Sequence, residues 1–140
     1  MRITIYTDGS CIGNPGPGAW AAIILMEGIE HIIKGADRDT TNNRMEMMAI
    51  IEALNWVRAN HGEKELSEIM VDLYSDSNLI ISTLNLGWKR KANTDLWERM
   101  DMARAWISVN WHWVKAHDKD LVNNRVDEIA QKEARRIIRK

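Results

Sequence analysis

The residues best suited to chemistry are four acids that lie far apart along the chain: Asp8, Glu46, Asp76 and Asp127. Asp8 and Asp76 each end a predicted strand and are followed by small, loop-forming residues. Glu46 lies on an otherwise apolar side of a predicted helix, and Asp127 lies in the predicted first turn of the last helix. Each acid alone also fits a structural role, as a turn former for the two aspartates or as a charge favourable to a helix dipole for the other two. Whether the four converge therefore decides the chemistry.

Four converging carboxylates would need a counter-ion. Each like-charge pair at about 6 Å costs roughly 3 kcal/mol at an effective dielectric of about 20. The chain has one cysteine and four histidines, so a site built on carboxylate oxygens favours Mg²⁺ or Mn²⁺ over softer metals. Two such ions about 4 Å apart are the usual arrangement for in-line displacement at phosphorus. The pattern therefore indicates phosphodiester cleavage.

The hydrophobic periodicity predicts the elements that must position these acids. Period-two alternation and apolar runs predict strands, and apolar spacing of three and four residues predicts helices. The predicted strands cover 2–8, 19–26, 29–34, 69–76 and 109–113, and the predicted helices start near Asn43, Ser77, Thr94 and Asn124. The first three strands are joined by short connections and the last two are separated by helices. We therefore expect an α/β fold with a mixed five-stranded sheet, three antiparallel strands followed by two parallel ones, flanked by helices in a single domain over residues 1–140.

Composition excludes several classes of protein. Apolar residues make up 45% of the chain and charged residues 28%, which is typical of a globular domain. The single cysteine, Cys11, excludes an intramolecular disulfide framework and fits a reducing compartment. The longest apolar run, Ala19 to Met26, is much shorter than the roughly 20 residues of a membrane span, and no signal peptide is visible. We predict a cytoplasmic protein without membrane contact.

Charge does not predict a general attraction to nucleic acid. Lys and Arg number 19 against 20 Asp and Glu, so any polyanionic partner must be held locally. Seven tryptophans occur without any phenylalanine. We assign Trp56, Trp111 and Trp113 to the core from their spacing on a predicted helix and strand, and we leave Trp88 as the exception. The histidines at positions 31, 61 and 112 are predicted to be ordinary strand or loop residues.

An ordered set of motifs carries a resemblance to a known family. The set runs from the first strand to the last helix: Thr7-Asp8-Gly9-Ser10-Cys11, Gly13-Asn14-Pro15-Gly16-Pro17-Gly18, Thr40-Thr41-Asn42-Asn43-Arg44-Met45-Glu46, Ser75-Asp76-Ser77, His117, Asn123, Arg125 and Asp127-Glu128. In these residues the chain closely resembles type 1 ribonuclease H.

The resemblance implies a metal-dependent endonuclease. Such an enzyme hydrolyses the RNA strand of an RNA/DNA hybrid and leaves a 5′-phosphate and a 3′-hydroxyl. Asp8, Glu46, Asp76 and Asp127 would be the catalytic acids and the ligands of two Mg²⁺ ions, with Mn²⁺ able to substitute. His117 matches the histidine on the loop before the last helix, which would shuttle a proton or help to release product.

The resemblance also implies a substrate-binding surface. Asparagines would lie along the minor groove of the hybrid and contact ribose hydroxyls, the groups that distinguish RNA from DNA. Thr41 would help to hold a phosphate of the DNA strand. The predicted substrate-binding residues are Gly9, Ser10, Asn14, Thr41, Asn42, Asn43 and Asn78. Arg44 would either join the phosphate contact or pair with a neighbouring acid.

The chain departs from many bacterial relatives in two places. Those relatives carry an extra helix and a long basic loop that grips the hybrid, whereas residues 84–94 here leave room only for a turn. The sequence Trp88-Lys89-Arg90-Lys91 remains, either as a phosphate contact or as a solvated surface patch. Asp39 stands where relatives often have a basic residue. The basic C-terminal group of Arg135, Arg136, Arg139 and Lys140 could add backbone contacts or simply suit the helix dipole.

Two other functions compete with hydrolysis of hybrids by a monomeric enzyme. The first is a noncatalytic nucleic-acid-binding module, which would gain nothing from four acids facing a polyanion. The second is a DNA nuclease or resolvase of the same fold. Relatives of that kind generally lack the glutamate of the first helix together with the asparagines before it, and both are present here.

Overall fold

The computed structural model describes residues 1–115 and 121–138. His117, Arg139 and Lys140 lie outside these residues, and so do the predictions made for them. Within the described ranges the strands are β1 (Arg2–Cys11), β2 (Gly16–Met26), β3 (Ile29–Thr40), β4 (Met70–Ser75) and β5 (Ser108–Trp113). The helices are α1 (Asn42–Ala59), α2 (Glu63–Leu66), α3 (Asn78–Leu86), α4 (Thr94–Arg104) and α5 (Leu121–Ile138).

The five strands form one mixed sheet in the order β3-β2-β1-β4-β5. β1 pairs antiparallel with β2 and β2 pairs antiparallel with β3, while β4 is parallel to both β1 and β5. The predicted fold class, three antiparallel strands followed by two parallel ones with helices on the faces, is therefore confirmed. β1 is the central strand and the one on which both halves of the sheet depend.

The two faces of the sheet have separate apolar layers. α1 and α4 cover one face, where the larger buried cluster contains Ile3, Ile5, Ile50, Leu54 and Leu73, all without exposed surface. α5 covers the other face over β1, β2 and β3, where the smaller cluster contains Ala21, Ile23, Val126 and Ala130. Alternate residues of β1 and β2 therefore serve opposite layers, as the period of two in a strand requires.

Local signals explain where two of the helices begin and end. Thr41 is the N-cap of α1, and its hydroxyl accepts a hydrogen bond from the backbone N–H of Arg44. Ser77 caps α3 in the same way, and Gly87 ends that helix in the left-handed conformation at φ 68°. α1 starts at Asn42, one residue before Asn43, near which its start was predicted, and the hydroxyl of Thr41 supplies its cap.

Several other boundaries also differ from the predicted ones. β1 continues to Cys11 and β3 to Thr40, because pairing with β2 carries both strands past their alternating segments. α4 begins at Thr94, as predicted, and ends at Arg104, and the short helix α2 was not predicted. α5 begins at Leu121, which places Asp127 in its second turn and not in its first.

The tryptophans divide between core and surface. Trp97 is buried, and Trp56 and Trp111 are partly buried against the larger cluster. Trp113 is 51% exposed, so its assignment to the core was wrong, whereas Trp88 is exposed as expected. Across the part of the chain that the structure covers, no helix combines the length and apolar character needed to cross a bilayer.

Candidate active site

The register between β1 and β4 brings Asp8 and Asp76 to the same edge of the sheet. The last parallel pair is Tyr6 with Tyr74, and each aspartate lies two residues beyond it. β1 does not end at Asp8, as had been predicted, but continues its pairing with β2 as far as Cys11. Asp8 is therefore held inside a strand, whereas Asp76 follows the end of β4.

Gly9 allows helix α1 to approach this edge. A Cβ atom at position 9 would lie 2.4 Å from the backbone nitrogen of Glu46 and 2.5 Å from the backbone carbonyl carbon of Met45. Such distances are far shorter than any real contact, so only glycine permits this packing. The first turns of α1 thus pass directly over β1, and the side chain of Glu46 reaches the carboxylate of Asp8.

Three acids form a compact cluster at this edge. Asp8, Glu46 and Asp76 each offer a carboxylate oxygen, and these oxygens lie within 4.8 Å of one another. Asp8 is buried and the other two are partly buried. The backbone N–H of Gly9 donates to Oδ1 of Asp8 at 2.9 Å. The buried Oε2 of Glu46 has no hydrogen-bond partner within residues 1–115 and 121–138.

The cluster is electrostatically unfavourable as an array of anions. Burial is the main cause that raises the pKa of Asp8 to about 9, and a hydrogen bond to Asp127 adds to it. Burial, followed by the charges of Asp8 and Asp76, raises the pKa of Glu46 well above its usual range. Burial also raises the pKa of Asp76. Protons or cations must therefore compensate these carboxylates.

A divalent cation fits this arrangement. Magnesium and manganese prefer hard oxygen ligands, and the cluster presents only carboxylate oxygens, one of them buried without a partner. A cation among the three oxygens would satisfy that atom and remove the repulsion. The donor set would not favour zinc or copper, which prefer nitrogen or sulfur ligands.

Asp127 approaches the cluster from α5. Its carboxylate hydrogen-bonds with Asp8, and its charge raises the pKa of both Asp8 and Asp76. It is not one of the three acids whose oxygens lie within 4.8 Å of one another. Its Oδ2 accepts a hydrogen bond from Nε2 of Gln131 at 3.0 Å. The structure thus brings all four predicted acids to one region, and their role as metal ligands stays a prediction.

The predicted substrate-binding residues lie around the same edge. The side-chain oxygen of Asn14 accepts from the backbone N–H of Asn42 at 3.1 Å, which ties the loop after β1 to the start of α1. Asn42 is exposed and Asn43 is partly buried in the first turn of α1. Ser10 is partly buried in β1 opposite Ala19.

Two further substrate-binding predictions fall at helix starts. Thr41 is occupied as the cap of α1. Asn78 is exposed at the first position of α3, and its side-chain oxygen accepts from the hydroxyl of Ser82 at 3.1 Å.

The structure decides between the alternatives left for Arg44. Its guanidinium donates to both carboxylate oxygens of Asp95, at 3.0 and 2.8 Å, and to the side-chain oxygen of Asn93 at 3.2 Å. Arg44 therefore pairs with an acid and links α1 to the start of α4.

The residues of the basic segment 88–91 lie in two different environments. Arg90 pairs with Asp101 and lies over the ring of Trp97, 4.5 Å from its centre. The segment, together with Asn43 and Leu79, lines a cavity of about 430 Å³. Trp88, Lys89 and Lys91 remain exposed on it.

Sequence reasoning missed two residues that support the acids. Gln131 lies four residues after Asp127, a spacing that places two side chains on the same helix face and could have revealed the contact. The indole N–H of Trp113 donates to the backbone carbonyl of Asp76 at 3.1 Å. No sequence pattern predicts that second contact, because it depends on how β4 and β5 pair.

A mixed sheet with clustered acids at the edge where its parallel strands end defines an α/β domain with a site suited to divalent cations. Residues 1–135 match the profile of the RNase H family. A ribonuclease H of Paramagnetospirillum magneticum is 42% identical over 142 residues, which cover 92% of this chain and 87% of that protein. A ribonuclease HI of Brucella melitensis is 44% identical over 143 residues, covering 93% and 88% respectively. The chain therefore belongs to the type 1 ribonuclease H family, whose members are endoribonucleases that depend on divalent metal ions.

Solved structures agree with this family. The crystal structure of LC11-RNase H1 in complex with an RNA/DNA hybrid matches with a TM-score of 0.83 and 27% identity, over 97% of this chain and 99% of that one. The N-terminal RNase H domain of a Mycobacterium tuberculosis protein matches with a TM-score of 0.82 over 99% of this chain and 96% of that one. Its identity is 21%, so it supports the fold alone.

Proposed function

We propose that this chain hydrolyses the RNA strand of RNA/DNA hybrids, with Asp8, Glu46, Asp76 and Asp127 as its catalytic acids. The observation that carries the proposal is the group of three carboxylates within 4.8 Å of one another, in a chain that belongs to the ribonuclease H family. A binding module would not benefit from such a cluster, because concentrated negative charge repels the phosphates of a nucleic acid.

The four acids would hold two Mg²⁺ ions, for which Mn²⁺ could substitute. When bound, such ions activate a water for attack on phosphorus and stabilise the leaving 3′-oxygen, so that the products carry a 5′-phosphate and a 3′-hydroxyl. The residues themselves supply negative charge in a fixed geometry. Asp8 is held within β1 and Glu46 on α1, so little reorganisation is needed when the cations enter.

Substrate selection would rest on the polar residues at the rim of the cluster. Asn14, Asn42, Asn43 and Asn78 would contact ribose hydroxyls, and Gly9 and Ser10 would complete this surface. The hydrogen bond between Asn14 and Asn42 supports this assignment, because it holds two of these residues beside each other. Thr41 would help to hold a phosphate of the DNA strand. Because its hydroxyl already caps α1, the loop around Thr41 would make this contact.

His117 would shuttle a proton or assist product release. The support is its place in the motif order, since it lies outside the described residues. An imidazole with an ordinary pKa near 6.5 can accept and donate a proton at neutral pH.

We further propose that the chain acts as one catalytic domain over residues 1–140, as a monomer in the cytoplasm. The helices that carry described site residues, α1, α3 and α5, all contact strands of one five-stranded sheet, which supports the single domain. The single cysteine supports a reducing compartment. Size-exclusion chromatography with light scattering tests the monomeric state.

The decisive experiment offers the purified protein three duplexes of identical sequence: RNA/DNA hybrid, double-stranded RNA and double-stranded DNA, each with and without Mg²⁺. We expect cleavage of the hybrid alone, in its RNA strand, and only with the metal. The Asp76→Asn variant, purified in parallel, measures the background from host nucleases. Binding without cleavage would favour the noncatalytic module, and cleavage of DNA would favour the nuclease or resolvase.

A further inference from the structure

The backbone of the segment that carries Asp76 accepts hydrogen bonds from side chains of both neighbouring strands. From β5, the indole N–H of Trp113 donates to the backbone carbonyl oxygen of Asp76 at 3.1 Å. From β1, the hydroxyl of Thr7 donates to the backbone carbonyl oxygen of Tyr74 at 3.0 Å. Of these two bonds, the one from Thr7 joins the Asp76 segment to the strand that carries Asp8.

The bond from Thr7 lies at the point where β1 and β4 separate. The last parallel pair between these strands is Tyr6 with Tyr74. Beyond that pair, β1 continues to pair with β2, and β4 continues to pair with β5. Asp8 and Asp76 each lie two residues past the end of the β1–β4 ladder. A side-chain hydrogen bond at this point therefore helps to set the separation of their two carboxylates.

Thr7 is a polar residue at a position where the pattern of β1 predicts an apolar one. Ile3 and Ile5, the alternate residues before it, belong to the larger buried cluster and have no exposed surface. Thr7 is equally buried. Burial of a hydroxyl costs free energy unless the hydroxyl is hydrogen-bonded, and an apolar side chain of similar shape would avoid that cost. Departures from the pattern of an element are expected chiefly at functional sites.

We infer that Thr7 is a positioning residue: its hydroxyl holds β4 against β1 so that the carboxylates of Asp8 and Asp76 keep the separation that a divalent cation requires. The inference rests on the proposed function, in which both acids are ligands. Mg²⁺ demands near-ideal octahedral geometry, so a small change in the separation of two ligands weakens its binding. Removal of the hydroxyl leaves all four acids in the chain, and the site should then still bind cations, but more weakly.

The test measures Mn²⁺ binding by the metal-free protein, without substrate, from the electron paramagnetic resonance signal of the free ion. Thr7→Val removes the hydroxyl and keeps the branched shape of the side chain. We expect its dissociation constant for Mn²⁺ to rise about tenfold. Thr7→Ala removes the same donor without a branched side chain and provides a second measurement of the loss. Thr7→Ser retains the hydroxyl and should retain most of the affinity.

Thr83→Val is the matched control. Thr83 is also buried, and its hydroxyl donates to a backbone carbonyl oxygen, that of Leu79, at 2.7 Å within α3. Both valine variants should lose a similar amount of stability in urea denaturation, yet only Thr7→Val should bind Mn²⁺ more weakly. In steady-state assays with hybrid, Thr7→Val should lower kcat at limiting Mg²⁺ with little change in KM, and excess Mg²⁺ should restore kcat.

Three results would overturn the inference. One is unchanged Mn²⁺ affinity in Thr7→Val and Thr7→Ala. A second is an equal loss of affinity in Thr7→Ser, since the hydroxyl would then not be the cause. A third is an equal loss in Thr83→Val, since that would show a general effect of lowered stability. Failure of the proposed function looks different: Asp76→Asn itself would then retain wild-type metal binding and hydrolysis.

Discussion

Asp72 and Asp76 stand four residues apart, one within β4 and one just beyond it, yet their surroundings are opposite. Asp72 accepts hydrogen bonds from Arg2 at 2.8 Å, from Asn110 at 3.1 Å and from the ring of His112 at 3.1 Å. These contacts, led by the one with Arg2, lower the pKa of Asp72 to about 2. Asp76 lies among other carboxylates, and burial raises its pKa.

The comparison separates an acid that stabilises the fold from one whose surroundings fit the proposed site. The carboxylate of Asp72 has its counter-charge within the protein, so it gains nothing from an added cation. The carboxylates of Asp8, Glu46 and Asp76 raise one another's energy and gain most from a divalent ion. Perturbed pKa values of this kind are typical of functional sites.

The largest expected effect is on activity, and it should distinguish the three-acid cluster from Asp72. Asp8→Asn removes a carboxylate from the cluster, and we expect Mg²⁺-dependent hydrolysis of hybrid to fall to background. Asp72→Asn makes the same substitution at the acid that pairs with Arg2, and this variant should retain wild-type turnover. Initial rates with a fluorescent hybrid measure both variants. Unchanged turnover in Asp8→Asn would refute the site assignment.

Gly9→Ala tests the close approach that unites the cluster. The new Cβ would meet the backbone of Met45 and Glu46, which cannot move aside as a flexible side chain could. We expect a loss of about 3 kcal/mol in the free energy of unfolding and a matching loss of activity. Urea denaturation measures the first effect. Gly28→Ala, at a turn where a Cβ would meet nothing within 4 Å, provides a control for strain at a glycine, since φ there is +75°.

Two histidines, His117 and His112, should also differ in their effect on turnover. His117→Ala should slow turnover by about 10²-fold without abolishing it, as expected for loss of a general acid or base. His112→Ala removes a ring that contacts Asp72 and stacks on Tyr74, at 4.6 Å between ring centres, and should leave turnover unchanged. Rates across a range of Mg²⁺ concentrations test the pair. No loss in His117→Ala at any metal concentration would remove its proposed role.

The stability of the metal-free protein should depend on pH because of the three-acid cluster. Because the folded-state pKa of Asp8 is raised to about 9 from an ordinary value of 3.8, the folded protein binds the proton more tightly than the unfolded chain. Stability from this group is therefore lost as pH rises from about 4 to about 9. Asp8→Asn should be more stable than wild type at pH 7 in EDTA, because an amide does not have to be kept protonated in the folded state. Added Mg²⁺ should reduce or reverse that difference, and urea titrations at pH 5 and pH 8 measure it.

The smallest expected effect is on stability at low pH, and it depends on Asp72. Its folded-state pKa of about 2 lies below the ordinary value of 3.8, so its stabilisation is complete above about pH 4. That stabilisation is lost as pH falls toward 2. Asp72→Asn should therefore lose less stability than wild type between pH 5 and pH 2, in thermal melts at low salt. Equal losses in the two proteins would contradict the pairing with Arg2.

Much of the fold follows from local patterns. The alternation in β1, the apolar run of β2 and the helical spacing of α1 predicted the order of the elements and hence the mixed sheet. The boundaries were less predictable, because strand pairing extends β1 and β3 beyond their own alternation. The first turn of α5 was assigned too late in the chain, so Asp127 was placed near its cap and lies in its second turn.

The sequence predicted which residues belong to the candidate site, but it did not predict how they are arranged. Motif order named the four acids and the asparagines around them. It did not reveal the hydrogen bond from Gln131 to Asp127 or the one from Trp113 to the backbone carbonyl of Asp76. It also did not reveal that Arg44 pairs with Asp95. Each of these contacts joins residues whose proximity depends on a helix turn, a strand register or the packing of two helices.

The amino-acid sequence by itself determined the types of the main elements, their order along the chain and the residues able to bind a hard cation, because these depend on side-chain chemistry and on periods of two and 3.6 residues. Tertiary structure alone decided which acids share one electrostatic environment. Asp72 and Asp76 have the same side chain and nearly the same place in the chain. Only the packing of β1, β5 and α1 around β4 gives one of them an arginine and the other a set of competing anions.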